Sequence, residues 1–282
     1  MIFNQIYDFL KNVAAFLDDG DRLDVILALD SHDGYWRRDL YAPYKADRAK
    51  RRSQDDVDWE RAFEEFARLA EGIRMFTPWK VLAVSKCEAD DIIFVLSDFT
   101  DNSVIIHSGD SDYLQLVSDR VSLFQPHTGE YAEFPRICKI SGGEAYCRDA
   151  HEYLEYAILT GQGGKDNVYN VKTPTDFTGV RKPGFGVKAA EKMLKTGDVV
   201  AEMHKLGLYE NYARNKALID MRQIPDAYYK AIDDVYTTYE VRSVDMDGLL
   251  SVYDWPSMRQ EADSIAAQLT MFSEGIVHFQ ES

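Results

Sequence analysis

VLAVSKCEADDIIFVLSDFTDNSVIIHSGDSDYLQLVSDRVSLFQP, residues 81–126, decides how this chain is read. Apolar, β-branched runs at 81–84, 104–107 and 121–124 predict three short strands, and the apolar spacing over 89–99 predicts a helix between the first two. A second helix is expected before the third strand. Strands and helices in alternation build a parallel α/β sheet, whose ligand sites form beyond the carboxyl ends of the strands. Acids stand at those ends: Glu88, Asp90 and Asp91 open the first helix, and Asp110 and Asp112 follow the second strand. One acid at a helix start is commonly a cap or a complement to the helix dipole. Two acidic clusters at consecutive strand ends ask for more. Brought together, they repel one another unless cations lie between them, and such hard oxygen donors suit Mg²⁺ or Mn²⁺.

Upstream, LDVILAL at 23–29 predicts a buried strand with Asp30 at its end, a sixth carboxylate in the position that Asp110 holds on the later strand. Residues 2–17 have helical spacing and stop at Asp18-Asp19-Gly20. Residues 36–52 are strongly basic, with Arg37, Arg38, Lys45, Arg48, Lys50, Arg51 and Arg52 against Asp39 and Asp47. Such a stretch can be a solvated surface segment. Here Tyr35, Trp36, Tyr41 and Tyr44 are interleaved with the cations, a combination that stacks unpaired bases while holding their backbone. A long helix is expected over 59–76.

Downstream, HTGEYAEF predicts a small β-turn extension with Gly129 in the turn. Residues 143–160 read as a helix with Tyr146, Ala150, Tyr153, Leu154, Ala157 and Ile158 on its buried side. Gly184-Phe185-Gly186, leading into a helix, would let backbone amides approach phosphate, and Lys188 would add a contact that ignores sequence. Taken alone, that turn is as readily a plain loop. Helices expected at 199–206, 209–221, 227–239 and 258–272 are assigned to packing.

The 282 residues are enough for one large domain or two small ones. No apolar run is long enough to span a membrane, and the amino terminus lacks the basic start of a secretory signal. Cys87, Cys138 and Cys147 form no C-x-x-C pair, which fits free thiols in a reducing cytoplasm. The net charge of −16 argues against general nucleic-acid binding. Part of that acidity belongs to the carboxylate clusters, however, and the basic residues gather in one place. A globally acidic, locally basic chain grips nucleic acid at a single site.

CEADDIIFVL followed by IIHSGDSDYLQLVSD resembles the core of the 5′ nuclease superfamily, and in particular its T-even phage ribonuclease H branch. The likeness extends through LALDSHDGYWRRDLYAPYKADRAKRR, TGQGGKDN and LIDMRQIPD, and so covers most of the chain. It implies an α/β fold: a PIN-like, mostly parallel central sheet flanked by helices, with a helical arch at about 35–76, in a core at 1–135. An all-helical DNA-binding region is implied at 136–282, with a helix–three-turn–helix at about 160–195. By resemblance, Asp30, Glu88, Asp90 and Asp110 hold a first Mg²⁺ or Mn²⁺, Asp112 and Asp166 hold a second, and Asp91 supports them. Lys45 and Arg48 match cations that face the scissile phosphate, and Tyr44 matches an aromatic that positions the terminal nucleotide. Arg37, Arg38, Gly184, Gly186 and Lys188 complete the implied DNA contacts, and K⁺ is implied at the helix–three-turn–helix.

The implied activity is that of a monomeric, cytoplasmic 5′→3′ exonuclease and flap endonuclease that removes RNA primers. Its substrates would be 5′ flaps, nicked duplex and RNA–DNA hybrids, and a sliding clamp or single-strand-binding protein would recruit it. Two departures from the pattern matter. Gly163 stands where the Gly-Asp-x-x-Asp-Asn motif has its first acid. The family's first strand, which carries a metal-site acid, has no counterpart before the helix at 2–17, so the 282 residues are expected to be an incomplete, weakly active form. A weakened nuclease-like protein that binds flaps or junctions is the alternative. A small RNA-cutting PIN domain is the other rival, and it leaves 179–194 unexplained.

Overall fold

The computed structural model describes residues 23–48, 52–54, 58–141, 143–175, 177 and 183–252. In chain order its elements are β1 (Ile26–Ala28), α1 (Trp36–Leu40), α2 (Trp59–Phe76), β2 (Lys80–Leu82), α3 (Ala89–Phe99) and β3 (Val104–His107). A 3₁₀ turn over Ser111–Leu116 follows, then β4 (Val121–Gln125), β5 (Glu130–Tyr131), β6 (Arg136–Ile140), β7 (Gly143–Cys147) and α4 (Ala150–Thr160). The remaining helices are α5 (Val187–Leu194), α6 (Val199–Lys205), α7 (Tyr209–Ile219), a 3₁₀ turn over Met221–Gln223, α8 (Asp226–Thr237) and α9 (Met246–Val252). The helices expected at 2–17 and 258–272, and the vacancy expected before the first of them, lie outside the described residues.

The chain divides into two compact units that do not follow its two halves. One comprises residues 1–29, 56–83 and 234–282; the other comprises 30–55 and 84–233. In the first unit β1 and β2 pair in parallel, Ile26 opposite Lys80 and Ala28 opposite Leu82. Lys80 enters this sheet buried, and its ammonium reaches Asp24 at 2.6 Å. α2 starts on Asp58, whose carboxylate accepts the Arg61 N–H, and packs against β2 and α9.

In the second unit β3 and β4 are parallel, with Val104 opposite Val121, and β5 turns back antiparallel on β4. Gly129 makes that turn with φ +73°, as its sequence predicts. Ile92 and Val95 of α3, Ile106 of β3 and Leu123 of β4 are buried in the core of this unit. α4 is buried continuously from Tyr153 to Thr160, so it is a central helix and not a surface one. It touches the first 3₁₀ turn, α5 and α7.

Four expectations are corrected. Among the described residues the strands hydrogen-bond in three groups, β1-β2, β3-β4-β5 and β6-β7, where one sheet was expected. The second helix of the deciding stretch is only a six-residue 3₁₀ turn, because Asp110 caps it at once and Val117 ends it. The helix expected at 143–160 starts at Ala150 on an Asp149 cap. Residues before it are β7, whose alternation buries Ala145 and Cys147 and leaves Tyr146 57% exposed. The carboxy-terminal region is therefore not all helical. The arch expected at 35–76 is divided between the two units, and 49–51 and 55–57 lie outside the described residues.

α4 ends at Gly161, with φ +69° and its N–H on the Ala157 carbonyl at 2.8 Å. A Cβ there would lie 2.4 Å from the Val168 carbonyl oxygen. Gly161→Ala is expected to cost on the order of 1–3 kcal/mol, since both the dihedral and the backbone contact oppose it. Thermal or urea melts of the two proteins check this.

Candidate active site

Four chain segments of the second unit meet here: the loop after β1, the start of α3, the turn after β3 and the turn after α4. Each brings acids, as the strand-end argument requires. Asp30 is exposed, and its carboxylate accepts the Ala89 N–H at 3.0 Å. Glu88 caps α3 and is 1% exposed. Asp91, fully buried, accepts the Glu88 N–H at 2.9 Å and so fixes the helix start. Asp110 caps the 3₁₀ turn by accepting the Asp112 N–H at 3.0 Å, which aligns the two side chains.

The basic stretch folds onto these acids. Arg37, 2% exposed, places Nη1 3.0 Å from Glu88 and Nη2 2.8 Å from Asp91, while its Nε donates to the Leu218 carbonyl at 3.1 Å. Trp36 Nε1 donates to Asp91 at 3.1 Å. The Tyr44 hydroxyl donates to Glu88 at 2.9 Å, and the Lys45 ammonium pairs with the same carboxylate. Lys45 also stands 3.8 Å from Asp166, and Arg48 lies 3.4 Å from it. Lys45 has φ +53°, and its N–H donates to the Asp166 carbonyl at 3.0 Å. Arg38 remains exposed; its guanidinium closes the turn by donating to the Tyr44 and Lys45 carbonyls.

Three residues expected to contact DNA are buried among these acids: Arg37, Tyr44 and Lys45. Arg37 is buried in an ion pair and cannot meet a phosphate from this position. Tyr44 is 4% exposed, so its ring offers no face to a nucleotide. The physical reason is one that composition hides: a cation finds a buried carboxylate within the fold before it finds a phosphate outside.

The turn after α4 brings Asp166, 2% exposed, and two residues that the sequence did not single out. Lys165 places its ammonium 2.5 Å from Asp110 and 2.8 Å from Asp112, and Gln162 Nε2 donates to the other Asp112 oxygen at 2.7 Å. Tyr113, next to Asp112, donates its hydroxyl to Asp90 at 2.7 Å. Adjacency to the acids was the only available signal for Lys165 and Tyr113.

Charge states follow from these neighbours. Burial raises the Asp90 carboxyl to about 6, against the pull of Lys45 and the Tyr113 hydrogen bond. Burial also raises Asp166, although Lys45, Lys165 and Arg48 oppose it. Burial would raise Glu88 and Asp110 too, but Lys45 and Arg37 hold Glu88 low and Lys165 holds Asp110 low.

Asp90, Asp112 and Asp166 line one cavity of about 10 Å³, with Arg37, Tyr44 and Gln162 also on its wall. That is room for about one water-sized sphere. In kind, these oxygen donors fit a hard divalent cation. As placed, most of the acids are engaged by the chain's own cations and donors. Among the described residues no three His, Cys, Asp or Glu side chains converge closely enough to hold a metal.

Gly184 and Gly186 are exposed, flank the buried Phe185, and face open space where a Cβ would be. Gly186 caps α5, and Lys188 is exposed in its first turn. The turn residues 178–182 lie outside the described residues. Cys87, Cys138 and Cys147 are free and buried, and no described helix is long and apolar enough to cross a membrane.

Residues 1–139 match the family described as 5′-3′ exonuclease, N-terminal resolvase-like domain. Ribonuclease H of Enterobacteria phage T4 is 29% identical over 227 residues, covering 77% of this chain and 70% of that protein. A 5′-3′ exonuclease of Aquifex aeolicus is 28% identical over 269 residues, 94% of this chain and 81% of its own. DNA polymerase I of Mycobacterium tuberculosis is 28% identical over 239 residues, but these are only 24% of its length. In fold, the chain is similar to the T5 5′-exonuclease solved with divalent zinc ions, at TM-score 0.58 and 18% identity, over 84% of this chain and 90% of that one. It is also similar to a bacteriophage T5 flap endonuclease solved with DNA and metal ions, at TM-score 0.53 and 17% identity, over 96% and 89%. With carboxylates from four segments gathered in one place, and with these matches, residues 1–139 belong to the 5′-3′ exonuclease N-terminal, resolvase-like family, and over most of its length the chain is similar to members of the 5′ nuclease superfamily.

Proposed function

We propose that this protein is a metal-dependent 5′→3′ nuclease, a phosphodiester hydrolase acting on DNA 5′ flaps, nicked duplex and RNA–DNA hybrids, and that it removes RNA primers during replication. One observation carries the reading: Asp90, Asp112 and Asp166, from three separate segments, line one small cavity with Lys45 and Arg48 beside it. Asp30, Glu88, Asp90 and Asp110 are the donors for a first Mg²⁺ or Mn²⁺, and Asp112 and Asp166 are those for a second, where the residues fit least well. Such ions, when bound, lower the pKa of an attacking water and stabilise the departing oxygen.

The chain's own part is positioning. Arg48, and Lys45 once it exchanges Glu88 for a phosphate oxygen, orient the scissile phosphate and neutralise charge that develops on it. Arg37 and Asp91 hold Glu88 in place. Gly184, Gly186 and Lys188 grip the duplex backbone in a helix–three-turn–helix that can take K⁺. A monomer in a reducing cytoplasm, brought to its substrate by a clamp or single-strand-binding protein, completes the proposal.

Labelled flap, nicked and hybrid substrates test it. Cleavage should require Mg²⁺ and stop on chelation. Flap binding without cleavage in Mg²⁺ or Mn²⁺ would instead favour a junction-binding protein, a reading supported by the glycine at 163 and the lysine on Asp110 and Asp112. Lys45→Ala and Arg48→Ala should lower turnover by about 10–100-fold, roughly 1.4–2.7 kcal/mol, with a smaller change in duplex affinity. Lys188→Ala should weaken binding to every sequence alike and reduce the salt dependence by about one phosphate contact. Equal affinity losses with unchanged turnover in all three variants would overturn these roles.

A further inference from the structure

We infer that Lys165, bridging Asp112 to Asp110 of the first site, supplies as part of the polypeptide the positive charge at Asp112 that a second divalent ion would otherwise supply. The active site then takes one divalent ion and not two. This rests on the nuclease reading of the same site and sets its metal content.

Four observations converge on it. The Lys165 ammonium bridges one oxygen of Asp110 and one of Asp112, at 2.5 and 2.8 Å. The second Asp112 oxygen is occupied by the Gln162 amide at 2.7 Å, so both oxygens face donors from a single turn. That turn is built and not merely adjacent: the Gln162 N–H donates to the Val168 carbonyl at 2.6 Å, and the Lys165 and Asp166 N–H groups return to the Gln162 carbonyl at 3.1 and 2.8 Å. Finally, the Tyr169 ring has closed over Gly163, where a Cβ would lie 2.8 Å from Cδ1 and 3.2 Å from Cε1. An acid at 163 would require that ring to move.

The charges make the two occupants exclusive. Asp110 and Asp112 carry two negative charges, and Lys165 already returns one. A second divalent ion on the Asp112 oxygens, both already met by Lys165 and Gln162, would stand a few ångströms from the ammonium, and two cations that close repel strongly. Entry of a second ion therefore demands that Lys165 withdraw. Its side chain is 41% exposed, so it has a route to water, and a high metal concentration can drive the exchange.

Mn²⁺ binding to the metal-free, full-length protein without DNA, followed by calorimetry and by electron paramagnetic resonance of free Mn²⁺, tests this. Wild type should take one Mn²⁺ per chain at submillimolar concentration. Lys165→Met, which keeps most of the aliphatic stem and removes the charge, should take two, the second at least tenfold tighter than any second site in wild type. Lys165→Arg should remain at one. Thermal melts of the metal-free proteins establish that each variant is folded. Two ions in wild type, with no change in Lys165→Met, would overturn the inference and leave the nuclease reading intact. No Mn²⁺ bound by either folded protein would overturn the nuclease reading and this inference with it.

Discussion

Asp110→Asn combined with Asp112→Asn is expected to reduce cleavage by at least about 10³-fold, some 4 kcal/mol of transition-state stabilisation, while flap binding stays within about threefold. Asp112 lies in the first 3₁₀ turn and Asp110 caps that turn, which aligns the two carboxylates. Repulsion between these acids suggests from sequence that their removal should stabilise the metal-free protein. The structure reverses that expectation. Lys165 already lies between them, so the double variant strands a cation in place of relieving two anions. Because that lysine is partly exposed it can turn to water, and the stability change should stay within about 1 kcal/mol. Single-turnover cleavage beside equilibrium flap binding checks the prediction. Near wild-type cleavage would remove these residues from the active site.

Arg37→Ala should produce the largest loss of stability, about 3–5 kcal/mol, because it leaves Glu88 and Asp91 buried without their guanidinium. The side chains of Glu88 and Asp91 are 1% and 0% exposed, so neither can recover its hydration without opening the start of α3. The loss should depend on pH. Burial would raise Glu88 above its ordinary 4.5, but Lys45 and Arg37 hold it lower. Stabilisation from a depressed carboxylate is complete above its unfolded value and disappears as pH falls through its folded one. The gap between wild type and Arg37→Ala should accordingly be widest near neutrality and narrow in acid. Urea melts at pH 7 and pH 4 measure it. A loss below about 1 kcal/mol at pH 7 would mean that Arg37 is not the partner the geometry makes it.

Much of this site was legible because its signals are local. A strand end followed by acids places Glu88, Asp90, Asp110 and Asp112 without any knowledge of packing, and Asp30 by the same rule. Direction was not legible. Arg37, Arg38, Lys45 and Arg48 stand close together in sequence, yet Arg37 and Lys45 are buried against acids and Arg38 is exposed. No periodicity separates them, because the acids that Arg37, Lys45 and Arg48 meet lie tens of residues away. Residues 143–147 failed for a different reason. Their alternation is only five residues long and runs into an apolar helix, so a 3.6-residue period fits the joined stretch as well as a 2-residue one fits its start. Lys165 illustrates a third limit: a lysine in a glycine-rich turn reads as surface until the turn is seen to face Asp110 and Asp112.

The interleaving of the two units bears on how the protein comes apart. The first unit is assembled from residues 1–29, 56–83 and 234–282, so the stretch 84–233 leaves and re-enters it as one long excursion. Once it unravels, the first unit must close a free loop of about 150 residues, an entropic cost of about 4 kcal/mol from chain statistics alone. That cost is a large fraction of an ordinary domain's stability. Melting of the larger unit should therefore carry the smaller one with it, giving one transition whose cooperativity comes from the path of the chain.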